Sequence, residues 1–110
     1  MKSIVDTLGA LGDEIRLRML NLLVERELCV CDLMRFLDVK QANASRHLTV
    51  LKNAGLIRGR KSAQWIYYSA DRATLPSFVK SLIFETLRSA EPFVSDLEKL
   101  KEPAGGGCSL

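Results

Sequence analysis

The length and composition of the chain fit one ordinary globular domain. It has 110 residues, of which 47% are hydrophobic and 26% are charged, and such fractions are typical of a chain that can fold around a core. No apolar run approaches the ~18 residues of a membrane span, and three cysteines are an odd number that does not fit a disulfide framework. We therefore expect a cytoplasmic protein with reduced thiols and no membrane segment.

Two helices are predicted in the first quarter of the chain. Residues 3–11 form a short candidate that Gly9 and Gly12 weaken, because glycine is a poor helix former. Asp13 and Glu14 then place negative charge where the dipole of a second, stronger helix favours it. The buried stripe of that second helix is Ile15, Met19, Leu22 and Leu23.

Cys29 and Cys31 stand at the start of the next helical segment. We interpret the Cys-Val-Cys run as extended, with Asp32 in the first turn of a helix that ends near Asp38. Two thiolates suit soft, thiophilic ions, and a thiol near a helix N-terminus ionises more readily. Two alternatives stay open at this stage, namely that a cysteine is a small buried hydrophobic residue and that the pair is a redox switch.

A short link, residues 39–41, leads to a second helix over residues 42–54. Ala44, Leu48 and Leu51 lie at i, i+4 and i+7 and predict one apolar face, while the opposite side is small, polar and cationic. Gly55 is a suitable residue to end the helix. Two helices joined by so short a link predict a helix-turn-helix.

A basic β-hairpin is predicted directly after this helix, with strands over residues 56–60 and 64–69 joined by residues 61–63. From Val39 to Ala70 the chain has six basic residues and no acidic one, which is typical of a surface that faces a polyanion. A hairpin in this position is the wing of a winged helix. The candidate contacts to double-stranded DNA are Lys40, Gln41, Ser45, Arg46, Thr49, Arg58, Arg60 and Lys61.

The C-terminal part is predicted to be helical from Thr74, with Pro76 in the first turn and a break at Pro92. Its apolar stripe is broader than one small core can cover, which predicts a dimer interface built from both ends of the chain. The candidate interface residues are Val5, Leu8, Phe78, Leu82 and Leu87. We assign residues 1–101 to one DNA-binding and dimerisation domain, and residues 102–110 to a flexible glycine-rich tail that carries Cys108.

The chain resembles the ArsR/SmtB family of metal-sensing winged-helix repressors. The resemblance covers about residues 5–100 and is carried by ELCVCDL, by SRHLTVLKNAGLI and by the WIYY strand. It implies a mainly α fold with a small β-hairpin, and a homodimer that joins through its N- and C-terminal helices. It also implies that the dimer binds operator DNA when metal-free and is released when metal binds.

The cysteine motif is most similar to that of the arsenic and antimony sensors, and next to that of the cadmium and lead sensors. This implies As(III) or Sb(III) as the effector at Cys29 and Cys31, with Cd(II) or Pb(II) as the alternative, and no cofactor for DNA binding. Arsenic sensors often have a third cysteine where this chain has Met34, so Cys108 is the candidate third ligand. We discern no acid–base pair or nucleophile typical of an enzyme.

Overall fold

The structure, a computed structural model, describes residues 3–101. It consists of short helices and one small sheet. The elements are α1 (Ile4–Leu11), α2 (Glu14–Leu23), β1 (Leu28–Cys29), α3 (Val30–Leu37), α4 (Gln41–Asn53), β2 (Arg58–Ser62), β3 (Trp65–Ser69), α5 (Ser77–Ser81) and α6 (Phe93–Lys99). A π-helical turn (Leu82–Thr86) and a 3-10 turn (Leu87–Ser89) connect α5 to α6. Among the described residues, no helix is long and apolar enough to cross a membrane.

The first two helices begin where their capping residues place them. The Ser3 side chain accepts a hydrogen bond from the Asp6 amide, and the Asp13 carboxylate accepts one from the Arg16 amide. Each bond satisfies a backbone donor that the first turn of a helix leaves without a partner. The stripe predicted for α2 is largely buried, with Met19 at its centre.

Helices α3 and α4 form the predicted helix-turn-helix. Helix α3 ends at Asp38, whose φ of 54° turns the chain. Helix α4 ends before Gly55, whose φ of 78° lies in the left-handed region that glycine adopts most easily. Leu56 follows and is buried in the core, so the chain leaves α4 with a hydrophobic contact.

The predicted extended Cys-Val-Cys run is wrong for Val30 and Cys31. Only Cys29 belongs to a strand, and α3 begins at Val30. The backbone amide of Cys29 donates to the Asp32 carboxylate over 3.3 Å, which is the return bond of a capping box. Because Cys29 takes the capping position, Cys31 falls in the first helical turn instead of in a strand.

The first strand of the hairpin lies two residues later than predicted, the second begins one residue later and ends at Ser69 as predicted, and both belong to a three-stranded antiparallel sheet of order β1-β3-β2. Strand β2 extends through Lys61 to Ser62, which pairs with Trp65. The two-residue loop is therefore Ala63-Gln64, and Ala63 takes the positive φ of 56° that the first residue of such a loop can require. We call residues 58–69, which form β2, the loop and β3, the wing.

The C-terminal part is more broken than the predicted helix. Pro76 is the residue before α5 instead of lying in its first turn. Helix α5 ends at Ser81, and the π-helical turn begins at Leu82. Leu87 is 4% exposed and packs in the core of its own chain. Leu87 is thus the most buried of the five predicted interface residues, and its assignment to the dimer interface stays a prediction.

Candidate DNA-binding and thiol site

Helix α4 presents a polar face, and the sequence predicts that residues of this face contact DNA. We therefore call α4 the reading helix. Its inner side buries Ala44, Leu48 and Leu51 in the core. Gln41, Ser45 and Thr49 are spaced by four residues and are all exposed on the outer side. All eight predicted DNA contacts are exposed, namely Lys40, Gln41, Ser45, Arg46, Thr49, Arg58, Arg60 and Lys61.

Two residues of this face bond within the helix. The Arg46 guanidinium donates to the Asn43 side-chain oxygen over 2.6 Å, and the Thr49 hydroxyl donates to the Ser45 carbonyl over 2.9 Å. Both bonds are exposed to solvent, and such bonds exchange readily with bonds to another partner. The face therefore offers one cation and several small polar groups beside it.

The three basic residues of the wing differ in their surroundings. The Arg60 guanidinium makes two hydrogen bonds to the Glu27 carboxylate, at 3.1 and 2.6 Å. These bonds hold the pKa of Glu27 below its usual value. Arg58 is 73% exposed, and its nearest Asp71 oxygen lies 3.9 Å away. Lys61 is exposed on the same strand, so the wing presents its positive charge outward.

His47 is a buried residue of the reading helix. It is 6% exposed, and its Nδ1 lies 3.1 Å from the Arg16 guanidinium. Because arginine can only donate, Nδ1 has to be the acceptor of this bond. Burial, followed by the charges of Arg16 and Arg46, lowers the pKa of His47, while Asp13 opposes the shift.

Arg16 connects the reading helix to α1. The same guanidinium that faces His47 also donates to the carbonyls of Ala10 and Gly9, over 2.6 and 3.2 Å. These carbonyls belong to the last turn of α1, where the Gly9 carbonyl also accepts from the Gly12 amide over 3.3 Å. The sequence indicates no role for Arg16, since its partners lie on two other helices.

The Cys29 thiol is buried at the N-terminus of α3. Cys29 is 1% exposed, and its Sγ donates to the Asp32 carboxylate over 3.3 Å. The same carboxylate lies 3.5 Å from the Arg35 guanidinium. The thiol is thus held in one orientation by the residue that also completes the helix cap.

One cavity joins the cysteine pair to the reading helix and the wing. Its volume is about 430 Å³. It is lined by Cys29, Val30, Cys31, Met34, Gln41, Ser45, Gln64, Trp65, Ile66 and Tyr68. Two sulfur donors at such a site fit a thiophilic ion, and Met34 adds only an uncharged thioether. A ligand here would touch both the cysteines and α4.

A third ligand is not found beside the cysteine pair within residues 3–101, where no group of three or more His, Cys, Asp or Glu side chains could hold a metal ion. The candidate third ligand, Cys108, and the rest of the predicted tail lie outside the described residues. The candidate sulfur donors among the described residues are therefore those of Cys29 and Cys31. Cys31 is disulfide-bonded in this structure, contrary to the expectation of reduced thiols, so it can bind an ion as a thiolate only after reduction.

An apolar surface lies away from the thiol site, on α1 and α5. Ile4, Val5 and Leu8 are 65%, 77% and 53% exposed, and Phe78 is 41% exposed. A groove of about 340 Å³ includes Ile4 and Phe78 in its lining, whereas Leu82 is half-buried. Monomeric soluble proteins rarely expose large contiguous apolar patches, and such patches commonly mark interaction sites.

A helix-turn-helix followed by a basic wing defines this protein as a winged-helix transcriptional regulator. Residues 13–58 match the family described as "Bacterial regulatory protein, arsR family". The chain is 37% identical over 92 residues to the arsenic resistance transcriptional regulator ArsR2 of Pseudomonas putida, an alignment that covers 83% of this chain and 79% of that protein. The chain belongs to the arsR family, whose members are regulators and not enzymes.

Two further relatives differ in the resistance that their names state. The arsenical resistance operon repressor of Escherichia coli is 42% identical over 71% of this chain and 67% of its own length. A cadmium resistance regulatory protein, the CadC homolog of Staphylococcus aureus, is 43% identical over 56% of this chain and 52% of its own length. The relatives therefore include regulators named for arsenic resistance and regulators named for cadmium resistance.

Solved structures support the same fold. Reduced HlyU from Vibrio cholerae matches with a TM-score of 0.65 and 36% sequence identity, over 76% of this chain and 83% of that one. The agreement confirms the predicted mainly helical winged helix. It also agrees with the small sheet, which here has three strands because β1 adds to the hairpin.

Proposed function

We propose that this protein is a repressor that binds operator DNA as a homodimer and is released when As(III) or Sb(III) binds to Cys29 and Cys31, with Cd(II) or Pb(II) as the alternative effectors. One observation carries the proposal. The cavity that includes both cysteines is also lined by Gln41 and Ser45 of the reading helix. A ligand at the thiols therefore lies against the element that would read DNA.

Release would begin at the cap of α3. A cysteine binds a soft ion as a thiolate, so Cys29 has to give up the thiol hydrogen bond to Asp32. The change falls at the N-terminus of a helix whose Leu33 and Phe36 are buried and that packs on α4. A shift of α3 is therefore passed to the reading helix. By linkage, the effector weakens DNA binding only as far as it prefers the shifted conformer.

DNA binding is assigned to the outer face of α4 and to the wing. The major groove admits an α-helix, whose polar side chains can meet base edges there, while basic residues of the wing meet phosphates. A two-fold dimer would place its two reading helices about 34 Å apart on a near-palindromic site. The exposed apolar surface of α1 and α5 supplies the surface through which a second copy would join.

Arg46 and Lys61 are expected to fail in different ways when they are replaced by alanine. Arg46→Ala should cost about 1–3 kcal/mol of operator binding and relax the sequence preference, if the side chain reads a base. Lys61→Ala should weaken all duplexes alike and reduce the dependence of log Kd on log salt by about 0.9, the loss of one phosphate contact. Fluorescence anisotropy with an operator selected from random DNA and with a scrambled duplex measures both effects.

The comparison of the two duplexes distinguishes contacts to bases from contacts to the phosphate backbone. If Arg46→Ala lowered affinity for the two duplexes equally, α4 would hold the backbone without reading sequence. If Lys61→Ala left the salt dependence unchanged, the wing would not face a phosphate at that position.

The cysteine pair is expected to be needed for release and dispensable for DNA binding. Cys29→Ser and Cys31→Ser should bind the operator like the unmodified protein but keep it when As(III) is added in reducing buffer. Serine preserves size and hydrogen bonding yet is a poor ligand for a soft ion. Cys108→Ser is the internal comparison, since we propose Cys108 as an auxiliary ligand whose loss should weaken the response without abolishing it.

The same titration tests the proposed effector chemistry. Loss of operator binding by Cys29→Ser before any addition would assign the thiol a structural role and contradict the proposal. Release by an oxidant, together with no release by As(III), Sb(III), Cd(II) or Pb(II) in reducing buffer, would favour a redox switch.

A further inference from the structure

The ion pair between Glu27 and Arg60 joins the segment before β1 to the wing. The guanidinium donates through Nε and Nη2 to the two carboxylate oxygens, over 3.1 and 2.6 Å. This fork-to-fork arrangement is the one in which arginine also holds the oxygens of a phosphate. The side chains of Arg60 and Glu27 remain 58% and 36% exposed, so the pair lies on the surface.

The sheet fixes where this guanidinium lies. Tyr67 is the register partner of Arg60 across β2 and β3, and the Arg60 Cζ lies 5.4 Å from the centre of the Tyr67 ring. An arginine at this distance is attracted by the face of the ring. Tyr67 therefore helps to hold the Arg60 side chain that pairs with Glu27. Arg60 lies on the same strand as Lys61.

We propose that Glu27 competes with a DNA phosphate for the Arg60 guanidinium and so lowers the affinity of the protein for DNA. The inference rests on the proposed function, in which the wing faces the DNA backbone. One planar guanidinium fork cannot hold a carboxylate and a phosphate in the same way at once. Arg60 therefore reaches a phosphate only after it leaves Glu27, and the released carboxylate then remains near a polyanion.

A different role for the pair predicts the opposite effect. If Glu27 instead held the wing in the orientation that DNA needs, removing its charge would weaken binding. The two roles are thus separated by the sign of one measured change, without any knowledge of the base sequence that the protein prefers.

The test uses the full chain with a duplex of about 30 base pairs at low salt. The duplex can have any base sequence, because phosphate contacts carry no sequence information. Glu27→Gln keeps the size of the side chain and removes its charge. We expect it to bind DNA about two- to fivefold more tightly, the range that exposed ion pairs span. The gain should shrink as salt is added, since exposed charges are screened.

Arg60→Gln supplies the control for general electrostatics. In that background, Glu27→Gln should raise the affinity by a smaller factor, because the group for which Glu27 competes is gone and only the repulsion between its carboxylate and DNA is removed. Weaker binding by Glu27→Gln, no change, or an equal gain with and without Arg60 would each overturn the proposal. If the unmodified protein bound no DNA, the proposed function would fail as well. Binding and release by As(III) without a gain in Glu27→Gln would overturn this inference alone.

Discussion

Replacing Arg18 by alanine is expected to lower the free energy of unfolding by about 3 kcal/mol, at the lower end of the range for a broken buried ion pair. Arg18 on α2 donates two hydrogen bonds to Asp96 on α6, over 2.8 and 2.9 Å. Asp96 is 1% exposed, so the substitution would leave its charge buried. The Lys99 ammonium lies 3.8 Å from the same carboxylate and offsets part of the loss.

Two further variants show whether the cause is the buried charge. Lys101→Ala breaks a pair whose side chains are 76% and 63% exposed, and it should cost less than about 1 kcal/mol. The double variant Arg18→Met with Asp96→Leu removes both charges and should recover most of the stability. Urea unfolding at one fixed protein concentration measures all of them. An effect of Arg18→Ala no larger than that of Lys101→Ala would contradict the account.

A charge on the exposed apolar surface is expected to abolish dimerisation and, with it, tight operator binding. Val5→Asp and Phe78→Glu place charges where the side chains are 77% and 41% exposed, so each monomer should still fold. A monomer can engage only one half-site, and the loss of bivalent binding should weaken operator affinity by about 100-fold or more. Sedimentation at micromolar concentration and anisotropy with the operator measure the two effects.

Ile66→Asp is the matched control for this surface. Ile66 is 47% exposed but lies on the wing, so the same kind of change should leave the dimer intact. Circular dichroism checks that each variant is folded. A folded, monomeric unmodified protein that binds a palindromic operator tightly would contradict the proposed dimer.

Periodicity predicts the reading helix well because its pattern is local. Ala44, Leu48 and Leu51 are buried as their spacing indicates, and Gly55 ends the helix with a positive φ. The start of α3 is missed because cysteine is not among the usual capping residues. The signal that could have found it is Asp32, three residues later, in the position of a capping-box acid.

The remaining misses come from tertiary structure. The hairpin loop is placed too early because Ala63, which has no strong preference for a turn, adopts the positive φ that usually marks a glycine. Glu27 and Arg60 lie 33 residues apart in the chain, and Arg18 and Asp96 lie 78 apart. No sequence pattern pairs such residues. Residue types therefore predict where the candidate site lies in the chain. Which side chains pair with one another is known only from the fold.

The coupling between the cysteine pair and DNA is tested most directly by measuring As(III) affinity with and without bound operator, in reducing buffer. Linkage requires that the two ligands weaken each other by the same factor. We expect saturating operator to lower the affinity for As(III) by the same factor by which As(III) lowers the affinity for operator, about 5- to 150-fold for typical couplings. An As(III) affinity that operator leaves unchanged would contradict it.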